Sequence, residues 1–182
     1  MKSIGIVSDS HHNLNNLQKA LNYLINDRKI DMLFHLGDFY EDLDNIEILK
    51  NDLQIFKVPG TENYLYNSKM ILKRLKIKID DIVFLLSHVP RKHQCDPIDD
   101  NEIEDAINTK SIKSLIYGHT HQYRIFYDNN SSILYINPGH LKDVDEQGTP
   151  PTFANMIIDK NRVIVKIYNL LNEIMLEKRY VL

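Results

Sequence analysis

Two histidines separated by a single residue, His119 and His121, are the clearest sign of chemistry in this sequence. They follow the apolar run 114–117, which is typical of a short β-strand, and Gly118 allows the sharp backbone turn between them. Alternate residues of an extended chain point to one face, so both imidazoles can project into one site. Such a pair alone occurs mostly in surface loops, and the metal-site hypothesis therefore depends on further ligands elsewhere.

Further candidate ligands follow other strand-like runs of the chain. They are Asp9, His11, Asp38, Thr61 and His88. Ligand sites in α/β sheets lie outside the carboxyl ends of strands, so these side chains can meet at one edge. Two carboxylates and four histidines are too many for one four-ligand zinc centre and suit two adjacent metals that share a bridging aspartate. Mixed carboxylate and imidazole ligands favour Mn, Fe, Zn, Co or Ni.

The elements that must position these residues alternate between strand and helix in the first half of the chain. Leucine spacing predicts an amphipathic helix over residues 14–28, with Asn13 as its N-cap. A second helix is indicated by Leu43, Ile46 and Leu49. Strands are predicted at Lys2–Val7, Asp31–Leu36 and Gln54–Val58. This β-α-β-α-β order predicts a sheet with helices on its faces.

The second half is richer in strands. A polar loop at 89–101 and a short helix around 103–107 interrupt it. Hairpins are predicted for three pairs of runs: Leu75–Ile79 with Ile82–Ser87, Tyr123–Tyr127 with Ile133–Ile136, and Thr152–Ile158 with Arg162–Leu170. A last strand within 173–181 either completes the sheet or forms a dimer edge. The pattern predicts one domain over residues 1–182, with a β-sandwich-like core between helices.

Composition sets limits on the class of protein. With 182 residues, 43% hydrophobic and 26% charged, the chain has the make-up of an ordinary soluble globular domain. The formal net charge of −3 disfavours long nucleic acid and anionic membranes as partners. A single cysteine, Cys95, excludes an internal disulfide and fits a reducing compartment. The start of the chain has no signal-peptide pattern and the longest apolar run, 82–86, cannot span a bilayer, so we expect a cytoplasmic protein.

Five short strings, taken in order, resemble the motifs of the calcineurin-like metallophosphoesterase superfamily. They are Asp9-Ser10-His11, Gly37-Asp38, residues 58–63, Ser87-His88 and Gly118-His119-Thr120-His121. Chain length and the closing Asn137-Pro138-Gly139 are similar to the small single-domain phosphodiesterase branch. The resemblance runs from residue 4 to about residue 140, and it implies an α/β (α+β) fold with a β-sandwich core of two mixed sheets flanked by helices.

The resemblance also implies two metal positions and a reaction. The first metal would be held by Asp9, His11, Asp38 and His121. The second would be held by Asp38, His88 and His119, the three predicted catalytic residues. Two divalent cations, manganese before Fe, Zn, Ni or Co, would hold a bridging hydroxide for in-line attack on a phosphate ester. The implied activity is that of a phosphodiesterase rather than a monoesterase, with a small phosphate ester as substrate.

Three neighbouring residues depart from the family pattern. Thr61 stands where an asparagine normally completes the second metal position. A threonine hydroxyl is a poor substitute ligand, so the second metal either binds weakly through Thr61 or recruits Glu62 or water. Glu62 replaces a histidine that often helps the leaving group depart, and Asn63 replaces an aspartate. A second histidine expected after His88 is absent, since Pro90 lies there, and His140 replaces a small residue.

Other interpretations remain open at this stage. The altered 61–63 string favours a catalytically weak or inactive binding module, similar to the metallophosphoesterase-like subunit of the retromer coat. Against that, every histidine ligand position is filled. A one-metal enzyme and a homo-oligomer are further alternatives. We expect His35 in the core, His12 at the rim of the site, and His93 with Cys95 in a solvent loop.

Overall fold

Two β-sheets and a few short helices make up the fold. The computed structural model describes residues 1–47, 49, 53–64, 66–143 and 148–182. In chain order the elements are β1 (Lys2–Val7), α1 (Leu14–Asn26), β2 (Met32–His35), a 3₁₀ helix (Tyr40–Asn45), β3 (Gln54–Lys57), β4 (Arg74–Ile79), β5 (Ile82–Ser87), α2 (Glu102–Asn108), β6 (Ser114–Ile116), β7 (Arg124–Asp128), β8 (Ile133–Asn137), β9 (Thr152–Asp159), β10 (Arg162–Asn169) and β11 (Ile174–Val181).

Both sheets mix parallel and antiparallel strands. The first has six strands in the order β11-β10-β9-β1-β2-β3, and the second has five in the order β4-β5-β6-β8-β7. Strands β1, β2 and β3 run parallel, as do β5, β6 and β8, while the remaining pairs are antiparallel. The predicted fold class, a β-sandwich of two mixed sheets with flanking helices, is confirmed.

The main core lies between the two sheets. Alternate residues of each strand point inward, so that Ile6 and Phe34 of the first sheet share a buried cluster with Phe84, Ile116 and Ile136 of the second. Fully burying a side chain of this size stabilises the fold by roughly 1.5–3 kcal/mol. The strand ends that carry polar residues are therefore anchored to a rigid apolar layer.

Helices cover the outer faces of the sheets. Leu17, Leu21 and Leu24 of α1 are buried in a second cluster with Val7 and Leu33 of the first sheet. Helix α1 begins after Asn13, whose side-chain oxygen accepts the Asn16 N–H at 3.1 Å. The predicted cap and helix are thus confirmed, with the helix ending at Asn26. Helix α2 packs on the second sheet in a third cluster, and no helix among the described residues is long and apolar enough to cross a membrane.

The predicted hairpins are confirmed by their strand pairing. Strands β4 and β5 pair up to Ile79 and Ile82 across Asp80-Asp81, and β7–β8 and β9–β10 are also antiparallel pairs. The last strand, β11, pairs with β10 and completes the first sheet as an edge strand.

The segment in which apolar spacing indicated a second helix does not form the expected α-helix. The described part of that segment forms a 3₁₀ helix, Tyr40–Asn45, and Ile46 is already extended, with φ −108° and ψ 107°. Of the apolar residues whose spacing indicated a helix, Leu43 lies within the 3₁₀ helix and Ile46 lies beyond its end. Residues 48 and 50–52 of this region lie outside the described residues.

Candidate metal centre

The predicted ligands lie at the carboxyl ends of four strands, two from each sheet. Asp9 and His11 follow β1, and Asp38 follows β2. His88 comes directly after β5, and the His119–His121 pair follows β6. Because the two sheets stack, these ends meet at one edge of the sandwich.

The first group of potential ligands consists of Asp9, His11 and His121, with one donor atom from each lying within 4.8 Å of the others. The two imidazole Nε2 atoms are 3.3 Å apart. His121 Nε2 lies 3.4 Å from Asp9 Oδ1. All three atoms therefore converge on one small volume.

The second group consists of Asp38, His88 and His119, again within 4.8 Å of one another. His88 Nε2 is 3.2 Å from His119 Nδ1 and 3.3 Å from Asp38 Oδ2. The same Asp38 oxygen lies 3.9 Å from His11 Nε2, which belongs to the first group. Asp38 thus contacts both groups, which is the position of a bridging carboxylate.

Hydrogen bonding in this region fits a bound cation. His88 Nδ1 lies 2.7 Å from the Leu36 carbonyl oxygen, which can only accept, so Nδ1 carries a proton and, in the neutral ring, Nε2 is left with a lone pair for a metal. Asp38 Oδ1 is buried without a hydrogen-bond partner among the described residues. Burying a carboxylate oxygen without a hydrogen-bond partner costs free energy unless a bound cation compensates for it. The residues present therefore fit divalent metal ions.

The backbone at these positions is unusual. Five of the six residues in the two groups have a left-handed φ, between 44° and 63°: Asp9, His11, Asp38, His119 and His121. This conformation is uncommon outside glycine and costs energy that the surrounding structure must supply. Such strain clusters at functional sites, and here it aims each side chain into the shared volume.

Burial and neighbouring charges set the protonation of the ligands. Burial lowers the pKa of His11 and of His119, which favours neutral imidazoles with free lone pairs. Burial alone would lower the pKa of His88, but the hydrogen bond with Asp38 and the charge of Asp9 outweigh it and raise that pKa. Burial alone would raise the pKa of Asp9, yet the hydrogen bond with His121 and the charge of His88 lower it.

Polar residues outside the two groups brace the ligand loops. The Asp42 carboxylate of the 3₁₀ helix accepts the Ser10 hydroxyl at 2.7 Å and the His12 N–H at 2.9 Å. Asn137 donates its amide to the Gly118 carbonyl at 2.9 Å, which links the end of β8 to the turn before His119. His35 is fully buried, as predicted, and burial lowers its pKa to about 4.

Two histidines that the sequence did not assign to the site lie against it. The His93 ring centroid is 5.1 Å from that of His119, and the His140 centroid is 5.0 Å from that of His121. His93 comes from the loop that was expected to face solvent, and only Cys95 of that pair is exposed. Their sequence signal was weak, since neither has the spacing of a ligand motif.

The structure only partly tests the roles predicted for residues 61–63. Gly60 packs directly on Asp38, which belongs to the second group. Glu62 is exposed and belongs to neither ligand group of the described residues. That Thr61 completes the second metal position stays a prediction.

Replacing Gly60 by alanine should disturb the metal centre, because the added Cβ would overlap the carboxylate and backbone nitrogen of Asp38. We expect metal affinity to fall by about 10–100-fold, the usual effect of displacing a residue that orients a ligand. Mn²⁺ titration in competition with a chromogenic chelator measures this. Lys19→Ala is the control, because Lys19 is exposed on helix α1 and its replacement by alanine is compatible with the helix. Unchanged affinity in Gly60→Ala would contradict the packing described.

Comparison with known families agrees with the fold and the ligand geometry. The model of the calcineurin-like phosphoesterase superfamily domain matches residues 1–161. The match covers most of the chain, and the chain therefore belongs to the calcineurin-like phosphoesterase superfamily.

Individual relatives are similar along most of their length. Phosphodiesterase MJ0936 of Methanocaldococcus jannaschii is 32% identical over 148 residues, covering 75% of this chain and 82% of that protein. A predicted phosphoesterase from Streptococcus pneumoniae has TM-score 0.68 at 19% identity, covering 100% of this chain and 98% of its own. Vacuolar Protein Sorting 29 from Cryptosporidium parvum has TM-score 0.68 at 21% identity, with the same coverage.

Proposed function

We propose that this protein is a dinuclear metal-dependent phosphodiesterase acting on a small phosphate ester. The observation that carries this proposal is the position of Asp38 Oδ2, which lies 3.3 Å from His88 Nε2 and 3.9 Å from His11 Nε2. One carboxylate oxygen within reach of both ligand groups supports two neighbouring cations with a shared ligand. Preference for a diester is supported by the similarity to a named phosphodiesterase.

The residues of the chain hold the cations and attract the substrate. Two divalent cations, when bound, supply a nucleophile at neutral pH and the positive charge that stabilises an in-line displacement at phosphorus. The carboxylates of Asp9 and Asp38 only partly neutralise such a pair, so the site keeps net positive charge and attracts a phosphate ester. Mixed imidazole and carboxylate ligands suit Mn, Fe, Zn, Ni or Co, and of these we propose manganese.

Room for a substrate lies beside the first ligand group. A shallow cleft of about 360 Å³ opens there, and its lining residues are His11, His12, Asn13, Leu14, Asn15 and Asp143. This lining is mostly polar, which suits the alcohol portion of a small polar diester rather than a lipid. The predicted place of His12 at the rim agrees with this lining.

A protein-binding module is the second candidate function. It is favoured by the structural likeness to a protein named Vacuolar Protein Sorting 29 and by threonine at position 61. The strained, converging ligand geometry argues against it, because a binding surface has no need for six aligned donors.

Metal analysis combined with an activity panel separates the two functions. We expect about two metals per chain and Mn²⁺-stimulated hydrolysis of bis(p-nitrophenyl) phosphate that exceeds hydrolysis of p-nitrophenyl phosphate. The panel should include Co²⁺, Ni²⁺, Zn²⁺ and Fe²⁺. Neither bound metal nor hydrolysis with any of these ions would overturn the enzyme and favour the binding module.

A further inference from the structure

The loop between β5 and α2 returns to the metal centre through His93. The ring of His93 stands edge-on to that of His119, with centroids 5.1 Å apart and planes at 78°. His119 belongs to the ligand group with Asp38 and His88. His93 is partly buried, so part of the residue remains accessible to solvent.

The loop determines which ring nitrogen of His93 carries the hydrogen. The Cys95 backbone N–H donates to His93 Nδ1 at 3.2 Å. Because a backbone N–H can only donate, Nδ1 must carry a lone pair, and the hydrogen of the neutral ring lies on Nε2. Nε2 has no hydrogen-bond partner within the described residues, so it presents an unused N–H.

The same loop holds the ring rigidly. His93 N–H donates to Asp96 Oδ2 at 2.8 Å, and Asp96 N–H donates to the His93 carbonyl at 2.9 Å. Asp96 is in turn fixed by Arg74 and Lys73, each at 2.9 Å. A donor anchored in this way gives up little conformational entropy when it binds a ligand.

The geometry argues against His93 as another metal ligand. It belongs to neither group of converging donor atoms that the described residues form. Its Nδ1 lone pair is engaged by Cys95, and in this tautomer Nε2 carries a hydrogen rather than a lone pair. An N–H donor beside a cation pair instead matches the needs of an anion.

We propose that His93 is a substrate-contacting residue whose Nε2–H donates a hydrogen bond to an oxygen of the phosphate group bound beside His119. This deepens the proposed function and rests on it. The contact adds a directional donor from the protein to the charge of the cations. Through this contact the 89–101 loop would orient the phosphate.

Two amide substitutions separate the roles of the two ring nitrogens. His93→Asn keeps an acceptor near the Nδ1 position but loses the distal donor, whereas His93→Gln can place an amide N–H near Nε2. We expect His93→Asn to weaken binding of inorganic phosphate to the Mn²⁺-loaded protein by about 10–100-fold, the usual loss for a hydrogen bond to a charged group. His93→Gln should recover most of that loss. Calorimetric titration with inorganic phosphate gives both affinities without turnover.

Controls keep this test independent of the proposed activity. Gln94→Ala changes an exposed neighbour on the same loop and should bind phosphate like the parent. Metal content and Tm should be unchanged in His93→Asn. Parental phosphate affinity in His93→Asn, loss of a metal, or equal damage in both His93 variants would each overturn the proposal. If the parent binds metal and phosphate without hydrolysing the diester, only the proposed activity fails.

Discussion

Replacing Asp38 by asparagine is expected to lower kcat/KM for bis(p-nitrophenyl) phosphate on the order of 10³-fold. Among the described residues, Asp38 is the one side chain that reaches both ligand groups, through Oδ2 at 3.3 Å from His88 and 3.9 Å from His11. Asparagine has the same shape as aspartate but lacks the negative charge that would bind two divalent cations. A cation contributes several kcal/mol to such a reaction, and about 1.36 kcal/mol corresponds to tenfold in rate.

The Asp38 variant should also bind less metal, which ties the lost activity to its cause. Elemental analysis after dialysis should show fewer than the two metals per chain expected of the parent. Asp44→Asn is the matched control, because the Asp44 side chain is 72% exposed and pairs only with Lys57 at the surface. Parental activity together with parental metal content in Asp38→Asn would remove the basis for a bridged pair.

The ligand residues were predictable because each ends an apolar run. Asp9, Asp38 and His88 all follow a buried strand, and strand periodicity is readable from local sequence. The stacking of two sheets then brings these ends together, as the β-sandwich prediction required. The left-handed backbone of Asp9 and Asp38 was not foreseen, since nothing in the residue types distinguishes a strained loop from a relaxed one.

Residues that reach the site through loops could not be placed from sequence. His93 and His140 lie in segments whose path depends on tertiary contacts rather than on periodicity. The 3₁₀ helix was mistaken for an α-helix because the apolar spacing that suggested a helix continues past its end at Asn45. Its buried Asp42 acts through contacts with Ser10 and His12. Polar pairing between distant loops carries no periodic signal.

The largest buried ion-pair cluster of the described residues was also not predictable from sequence. Arg74 at the start of β4 contacts Asp96 at 2.9 Å and Asp100 at 2.8 Å in the loop before α2. The Arg74 side chain is 1% exposed and that of Asp96 is 0% exposed. In the sequence these residues look like ordinary surface charges of a polar loop, because their partners are more than twenty positions away.

Replacing Arg74 by methionine is expected to lower the free energy of unfolding by about 2–3 kcal/mol, because it removes charge-assisted hydrogen bonds and leaves the buried Asp96 carboxylate with Lys73 as its remaining cation among the described residues. Urea unfolding at pH 7 measures the loss. Arg179→Met is the matched control: Arg179 is 73% exposed and pairs with Glu177 at the surface, so its removal should cost less than about 1 kcal/mol. Equal losses of unfolding free energy in the two variants would show that burial of the Arg74 ion pair adds nothing to its contribution to stability.

The loss of unfolding free energy caused by Arg74→Met should become smaller at acidic pH. Burial alone would raise the pKa of Asp96, but hydrogen bonds from the His93 N–H and Lys73, with the charge of Arg74, lower it. The pKa of Asp100 is also lowered by Lys73 and Arg74 against its burial. A carboxyl whose pKa is lower in the folded state stabilises the fold above its unfolded pKa, about 3.9, and loses that contribution as pH falls through the folded value.

Unfolding measured from pH 7 to pH 3 should therefore show a steeper loss of stability in the parent than in Arg74→Met. Because Asp96 also holds His93 in place, the variant should bind inorganic phosphate more weakly while its metal content stays that of the parent. Weaker phosphate binding with intact metal content would connect this distant ion-pair cluster to the substrate through a single loop. Parallel pH curves would instead show that the two aspartates are not stabilised by Arg74.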